Sequence, residues 1–480
     1  MIRRQRRHRR PVLLMRGPVS DRTHSPASSE SHVCGFRTFR LAFNLGLSRR
    51  RRPRFRVAAS VLPDDDAGPI EAKWYSASVR DDPQLLSRSQ GHKPLGWPER
   101  GALPAPSDLR LGRVAKGFCS HLKDYLDHPE DDAYWRQLSV RDKAHEINVP
   151  IFHVASWYDG FLEGGLHNFS NIRQHGMTSE ARAGQRLLVG PWPHLYPYDG
   201  PTSAVGELDM GPEAPIRNND IEQRWFDYWL KGIDTGIKNE RPVQIFVMGD
   251  NVWREEDEWP LARTKYTPFY LHSGGRANTL NGNGTLSRVP PPSEQRADSF
   301  VYDPDDPVPT IGGSQLGPNP TGPCDQRPIE ARQDVLVYTS EPVQEDLEIT
   351  GPISVKLFAA TTATDTDFTA KLVDVWPNSY AQNLQDGIIR ARYRTSNTHP
   401  TLITPDVVCE YTIDLWATSH VIKPEHRIRV EISSSNFPHY DRNLNTGGPL
   451  FKEKGFKRAT QKIFHDAARP SHIILPLIPR

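Results

Sequence analysis

Two short apolar runs, each followed at once by a residue capable of acid–base chemistry, constrain this chain more than any other feature. Residues 149–156 (VPIFHVAS) stop at Trp157-Tyr158-Asp159-Gly160, and residues 186–189 (RLLV) stop at Gly190-Pro191-Trp192-Pro193-His194. Near-continuous apolar runs of this length are the signature of parallel strands buried on both faces. A helical stretch running to about residue 174 lies between them. Strand, helix, strand, with polar residues just past each strand's C-terminal end, is how open α/β sheets build sites. A carboxylate at Asp159 can accept the Nδ1–H of a histidine and stabilise its imidazolium. His194 can exchange protons near neutral pH. Taken singly, Asp159 is also a turn residue, since Asp-Gly is a common turn pair. Acid first and histidine second is the order of the last two members of an α/β-hydrolase triad.

The rest of the chain changes character twice. Residues 70–145 are rich in charge and proline and hold short helical patterns, as at 114–126, which suits a helical cap. A helix is expected at 221–231, capped by Asn219 or Asp220 and closed by Gly232. Its apolar face would comprise Ile221, Trp225, Phe226, Trp229, Leu230 and Ile233. From about Pro242, strand-like runs recur at 243–248, 335–338, 353–359, 368–375, 410–415 and 427–432. Loops dense in Pro, Gly, Asp and Asn separate them, with a long loop-rich excursion at 272–334. Many short strands with such turns predict a β-sandwich of jelly-roll type. The expected fold class is therefore α/β plus all-β.

Charge separates the first sixty residues from the body. They contain 16 Arg, no Lys and two acids, leaving 44 basic and 56 acidic residues in 61–480, a net of −12. An acidic body argues against nucleic-acid binding. Residues 1–30 are expected to be disordered. Targeting, a basic arm and a misread frame all remain open for this segment. The apolar stretch at 12–15 is too short for a secretion signal, so a cytoplasmic location is expected. No run is long enough to span a membrane. The four cysteines lack metal or disulfide spacing. Asp303-Pro304-Asp305-Asp306 and Asp365-Thr366-Asp367 are read as solvated acidic loops rather than cation sites, so no metal is expected.

Several motifs together carry a resemblance. They are Trp157-Tyr158-Asp159-Gly160-Phe161, Gly190-Pro191-Trp192-Pro193-His194 and Arg224-Trp225-Phe226-Asp227-Tyr228-Trp229-Leu230-Lys231-Gly232. Ser433-Ser434-Ser435-Asn436-Phe437-Pro438, Asp441-Arg442-Asn443 and Asn445-Thr446-Gly447 complete the set. From about residue 70 onward the chain resembles the cocaine-esterase/NonD hydrolases, relatives of the X-prolyl dipeptidyl-peptidases. The resemblance implies a partial α/β-hydrolase domain with a helical cap over 70–145. The α/β part would resume at 146–237, followed by a jelly-roll C-terminal domain at 238–480. It implies Asp159 and His194 as triad acid and base, and Trp157, Phe161 and Phe437 as pocket residues. It also implies no cofactor, a small ester or X-Pro peptide-like substrate, no nucleic-acid or membrane partner, and leaves a homodimer open.

The family's nucleophile turn resembles G-x-S-Y-x-G, and no G-x-S-x-G occurs in the 480 residues. Gly312-Gly313-Ser314 imitates it but follows His194, and is read as a turn. Aligned back from the run at 54–62, the position falls on Ser29-Glu30-Ser31-His32-Val33-Cys34, making Ser31 the candidate nucleophile and the His32 N–H the candidate oxyanion donor. Both glycines that let backbones approach at such a turn are replaced. Residues 31–69 are thus expected to be a remnant of the nucleophile region in a chain truncated or degraded at its N-terminus. Two functions follow: an acyl hydrolase working through Ser31, Asp159 and His194, or a catalytically dead fragment whose jelly roll persists as a binding module.

Overall fold

The computed structural model describes residues 126–194, 202–316, 320–450 and 452–479. The chain divides into two compact units, residues 1–49 and 50–480, and every described residue belongs to the second. The expectations for residues 1–30, 31–69 and most of the 70–145 cap lie outside the described residues. The described end of the cap region holds a short helix, Ala133–Leu138, whose N-cap Asp132 accepts from the Tyr134 amide at 2.8 Å.

The first sheet has four strands: β1 (Phe152–Tyr158), β2 (Arg186–Pro193), β5 (Val243–Val247) and β6 (Val252–Glu256). A two-stranded hairpin, β3 (Ala204–Val205) and β4 (Leu208–Asp209), lies between β2 and β5 in sequence. β1 runs parallel to β2 and β2 parallel to β5, while β6 turns back antiparallel. The continuous apolar runs are explained by cover on both faces. Phe152 and Leu188 pack with Trp225, Trp229 and Ile237. Ala155, Leu187 and Val189 pack with Leu162, Leu166 and Phe169 of the helix Leu162–His175. A Cβ at Gly165 would stand 3.3 Å from that of Ala155, so the helix sits tight on β1.

Two expectations are corrected here. The run at 243–248 joins β1 and β2 as β5, not the sandwich. An apolar run carries no mark of the sheet it joins. The expected helix at 221–231 is instead the helix Asn218–Phe226 continued by a π-helical turn, Asp227–Lys231. Arg217 occupies the N-cap position, with no side-chain cap bond. Gly232, in the left-handed region at φ 72°, closes the turn as expected. The row of Ile221, Trp225 and Trp229 faces the core, with Phe226 packed against it, but the end of the expected face does not. Trp225 and Trp229 are buried, whereas Leu230 and Ile233 are exposed.

The second sheet has eleven strands. They are β7 (Lys265–His272), β8 (Thr285–Ser287), β9 (Asp298–Tyr302), β10 (Leu336–Thr339), β11 (Leu347–Thr361), β12 (Asp367–Val375), β13 (Ala381–Arg390), β14 (Cys409–Ile422), β15 (Arg427–Ser433), β16 (Ala459–Phe464) and β17 (His472–Ile478). Their order is β13-β12-β15-β10-β8-β7-β17-β11-β16-β9, with β14 also paired to β11. β13, at one end of this path, packs against β14, so the sheet folds over one core. That core includes Leu271, Phe300, Tyr338, Leu357, Phe368, Ile413, Ile432 and Ile473. The fold is thus an α/β-hydrolase part followed by a β-sandwich. The excursion at 272–334 contains β8, β9 and the short helix Arg327–Glu330. Among the described residues, no helix is long and apolar enough to cross a membrane.

Candidate active site

β1 and β2 deliver Asp159 and His194 side by side. The amide of Asp159 donates to the Ser156 carbonyl at 3.1 Å, turning the chain at the strand's end. Its Oδ1 accepts from the Phe161 amide at 3.0 Å, which fixes the carboxylate. Nδ1 of His194 lies 3.0 Å from Oδ1 and 3.2 Å from Oδ2. Because a carboxylate accepts, this geometry places the neutral ring's proton on Nδ1 and leaves Nε2 as an acceptor. Nε2 has no hydrogen-bond partner among the described residues. The Asp159 side chain is 13% exposed and that of His194 38%, so the pair is sheltered on the acid side and open on the base side. Burial disfavours the imidazolium, but the hydrogen bond and charge of Asp159 outweigh it, and the pKa of His194 ends above the ordinary 6.5.

The other expected site residues divide. Phe161 meets the His194 ring edge-on, with centroids 4.9 Å apart. Trp157 is a core residue rather than a pocket lining. It is 0% exposed, its Nε1 donates to the Phe246 carbonyl at 2.7 Å, and it packs against Trp259. It lies on β1 two residues before Asp159, at a position whose side chain points into the layer shared with Met248 and Val421. Phe437 is half-buried in the sandwich, its N–H donating to the Val308 carbonyl and its own carbonyl accepting from Thr310. Ser31 and His32 lie outside the described residues.

Gly312-Gly313-Ser314 is a bend with φ of 67° and 86° at the glycines, in which Gly313 bridges antiparallel to Gly322. The structure also places it against β1, where the Ser314 hydroxyl donates to the Trp157 carbonyl at 3.3 Å. Gln385, 228 positions away from Trp157, donates to the same carbonyl at 2.6 Å. No local signal in the sequence points to either contact.

The acidic motifs also separate. Asp303, Asp305 and Asp306 lie on a surface loop, and Asp303 and Asp306 pair with Arg458 and Arg332. Asp365-Thr366-Asp367 is buried, contrary to expectation. Asp367 binds the Arg390 guanidinium through two bonds of 2.8 and 2.9 Å, Asp365 binds Arg392 at 2.7 Å, and the Asn443 amide bridges both carboxylates. Buried charge persists when it is paired and hydrogen-bonded in this way. Among the described residues, no cluster of His, Cys, Asp and Glu is arranged to hold a metal ion.

Comparison with known proteins agrees with this architecture. Residues 92–196 match the X-Pro dipeptidyl-peptidase (S15 family), and residues 235–474 match the X-Pro dipeptidyl-peptidase C-terminal non-catalytic domain. The second match starts ahead of β5, so its first two strands are those that complete the hydrolase sheet. The chain is 43% identical over 383 residues to the cocaine esterase of Rhodococcus sp. (strain MB1 Bresler), covering 78% of this chain and 64% of that one. It therefore spans a little under two thirds of that relative's length. The crystal structure of an aminopeptidase from a marine sediment Thaumarchaeota archaeon superposes with a TM-score of 0.70 at 26% identity, covering 88% of this chain and 72% of that one. An α-amino acid ester hydrolase superposes with a TM-score of 0.67 at 28% identity, covering 81% and 65%. With a C-terminal domain of the X-Pro dipeptidyl-peptidase type over half of its length, the chain belongs to the CocE/NonD hydrolases, cocaine-esterase-like α/β-hydrolases that carry a C-terminal β-sandwich.

Proposed function

We propose that this chain is a serine acyl hydrolase that cleaves carboxylic esters, with Asp159 and His194 as the acid and base of a Ser-Asp-His triad. The observation that carries the reading is the His194 Nδ1 contact with both Asp159 oxygens at the ends of adjacent parallel strands, with Nε2 without a partner among the described residues. Nε2 takes the proton of the attacking serine and returns it to the leaving group, while Asp159 holds the tautomer and stabilises the imidazolium. Ser31 is the nucleophile in this reading. Its turn lacks both glycines, and a lost oxyanion donor alone costs about 10²–10³ in rate. Esters are favoured over X-Pro amides because the relative at 43% identity is named an esterase.

A fluorophosphonate probe, which labels activated serines, tests the reading. The purified chain is expected to take the label, and Ser31→Ala and His194→Ala to lose it. A label that survives in S31A moves the nucleophile to another serine. No label on the wild-type chain sinks the hydrolase reading and leaves the sandwich as a binding module. Faster turnover of an X-Pro anilide than of an aryl ester would overturn the ester preference.

A further inference from the structure

The strand that presents Asp159 is held from the other domain. At the end of β1 the ladder to β2 slips: Ser156 pairs with Gly190, but Tyr158 pairs with Pro193. The Trp157 carbonyl lies in this irregular step. It accepts from Gln385 Nε2 at 2.6 Å and from Ser314 Oγ at 3.3 Å, both buried. The next residue is gripped as well. The Tyr158 hydroxyl donates to the Asn383 carbonyl at 3.1 Å, and Gln382 Nε2 reaches that hydroxyl at 3.4 Å. Gln382, Asn383 and Gln385 all belong to β13, which is itself irregular there. Leu372 of β12 faces Gln385 while Val373 faces Asn383, leaving Leu384 as an extra residue. A bulge of this kind re-aims side chains. Here one irregular strand end meets another, and side chains replace the missing ladder bonds.

We infer that Gln385, assisted by Ser314, is a positioning residue: it acts through the Trp157 carbonyl to hold the end of β1, and so aims the Asp159 carboxylate at His194. This rests on the reading that Asp159 and His194 work as a pair. The buried carbonyl needs a donor, and Gln385 supplies one from a strand locked between β12 and β14. Among the described residues the Gln385 oxygen has no partner of its own, so the amide's orientation is set by the bond from Nε2. The Trp157 indole is tied to Phe246 on the opposite side. Three anchors therefore converge one and two residues ahead of Asp159. The C-terminal domain, described in its family as non-catalytic, thereby reaches the triad's acid without touching substrate.

The test follows His194 by NMR titration in the full chain, comparing wild type with Gln385→Met, Ser314→Ala and Asp159→Asn. Methionine keeps the length and bulk of glutamine, removes the donor and adds no charge, so the His194 midpoint reports only how well Asp159 is aimed. The expected order of midpoints is wild type highest, Q385M lower and D159N lowest. In an active chain, kcat for Q385M falls roughly ten- to a hundredfold with KM unchanged. A folded Q385M chain with wild-type midpoint and kcat overturns the inference, since a merely structural role would lower Tm and leave the midpoint alone. If D159N fails to lower the midpoint, it is the acid–base pairing that falls. Should Q385M not fold, S314A decides by the same criterion, because it removes one bond and little packed volume.

Discussion

Two of the aspartate–histidine pairs among the described residues, taken one from each domain, have nearly the same bond and opposite surroundings. Asp159 and His194 meet at 3.0 Å beyond the ends of two parallel strands, with the histidine open to solvent on one side. Asp298 and His465 meet at 2.9 Å inside the sandwich, and neither side chain is exposed at all. Every lone-pair direction of Asp298 is used. It accepts from Ser273, the Ala277 amide, Tyr338 and His465, while His465 Nδ1 is held by Gln295. These bonds outweigh burial and keep the Asp298 pKa below the ordinary carboxylate value. The sandwich pair is saturated, and so holds structure together. Among the described residues, nothing occupies the second ring nitrogen of the strand-end pair, which leaves it available for the proton transfer proposed above. The distinction lies in unfilled valence and access rather than in the residues.

The largest expected effect falls on the strand-end pair. Asp159→Asn should lower kcat about 10³–10⁴-fold, because the amide no longer fixes the tautomer. The pH profile should move with it. His194 works as a base only when neutral, and its pKa is raised, so the wild-type rate rises with pH through a midpoint above 6.5. That limb should shift to lower pH in D159N. By the same sign, the pair stabilises the fold below pH 6.5 and loses that contribution as pH rises through the folded value.

Next comes Asp298→Ala, which leaves buried donors and a buried histidine unpaired and should cost about 3–5 kcal/mol in urea unfolding. Folded D298A should retain its turnover. A loss comparable to that of D159N would break the comparison.

His153 sharpens it from a third side. This histidine lies on β1 itself, fully buried, and bonds the neutral Gln185 at 2.9 Å instead of a carboxylate. Burial, only partly offset by Gln185, lowers its pKa to about 4. It therefore favours the fold above the unfolded value of 6.5, and that contribution disappears as pH falls from 6.5 towards 4. The loss should be roughly 3 kcal/mol between about pH 7.5 and about pH 4. His153→Gln should flatten this part of the urea-midpoint profile. An unchanged profile would show that the acid sensitivity originates elsewhere.

Much of the site's framework was legible in the sequence because it is local. β1, β2 and the helix between them follow from run length and periodicity, and Asp159 and His194 follow from their positions just past strand ends. In the run at 427–432, Ile428, Val430 and Ile432 alternate with Arg427, Arg429 and Glu431, and all three apolar side chains are buried. Glu431 is buried too, because both faces of β15 are covered at that point. It lies 3.5 Å from Lys371, and burial pushes its pKa up to about 7. Charge alone could not separate this carboxylate, or Asp365 and Asp367, from the solvated acids of 303–306.

What the sequence by itself determined is the order and type of elements and the two residues at the strand ends, since these depend on spacing along one stretch of chain. Only the tertiary structure decided which sheet the run at 243–248 joins, that Trp157 packs inward, and that Gln385 and Ser314 close on its carbonyl. Those outcomes depend on which groups meet far apart in the chain, from Leu187 with Val243 to Trp157 with Gln385, 228 positions away. A buried carbonyl must find a donor, but nothing in its local sequence says from where.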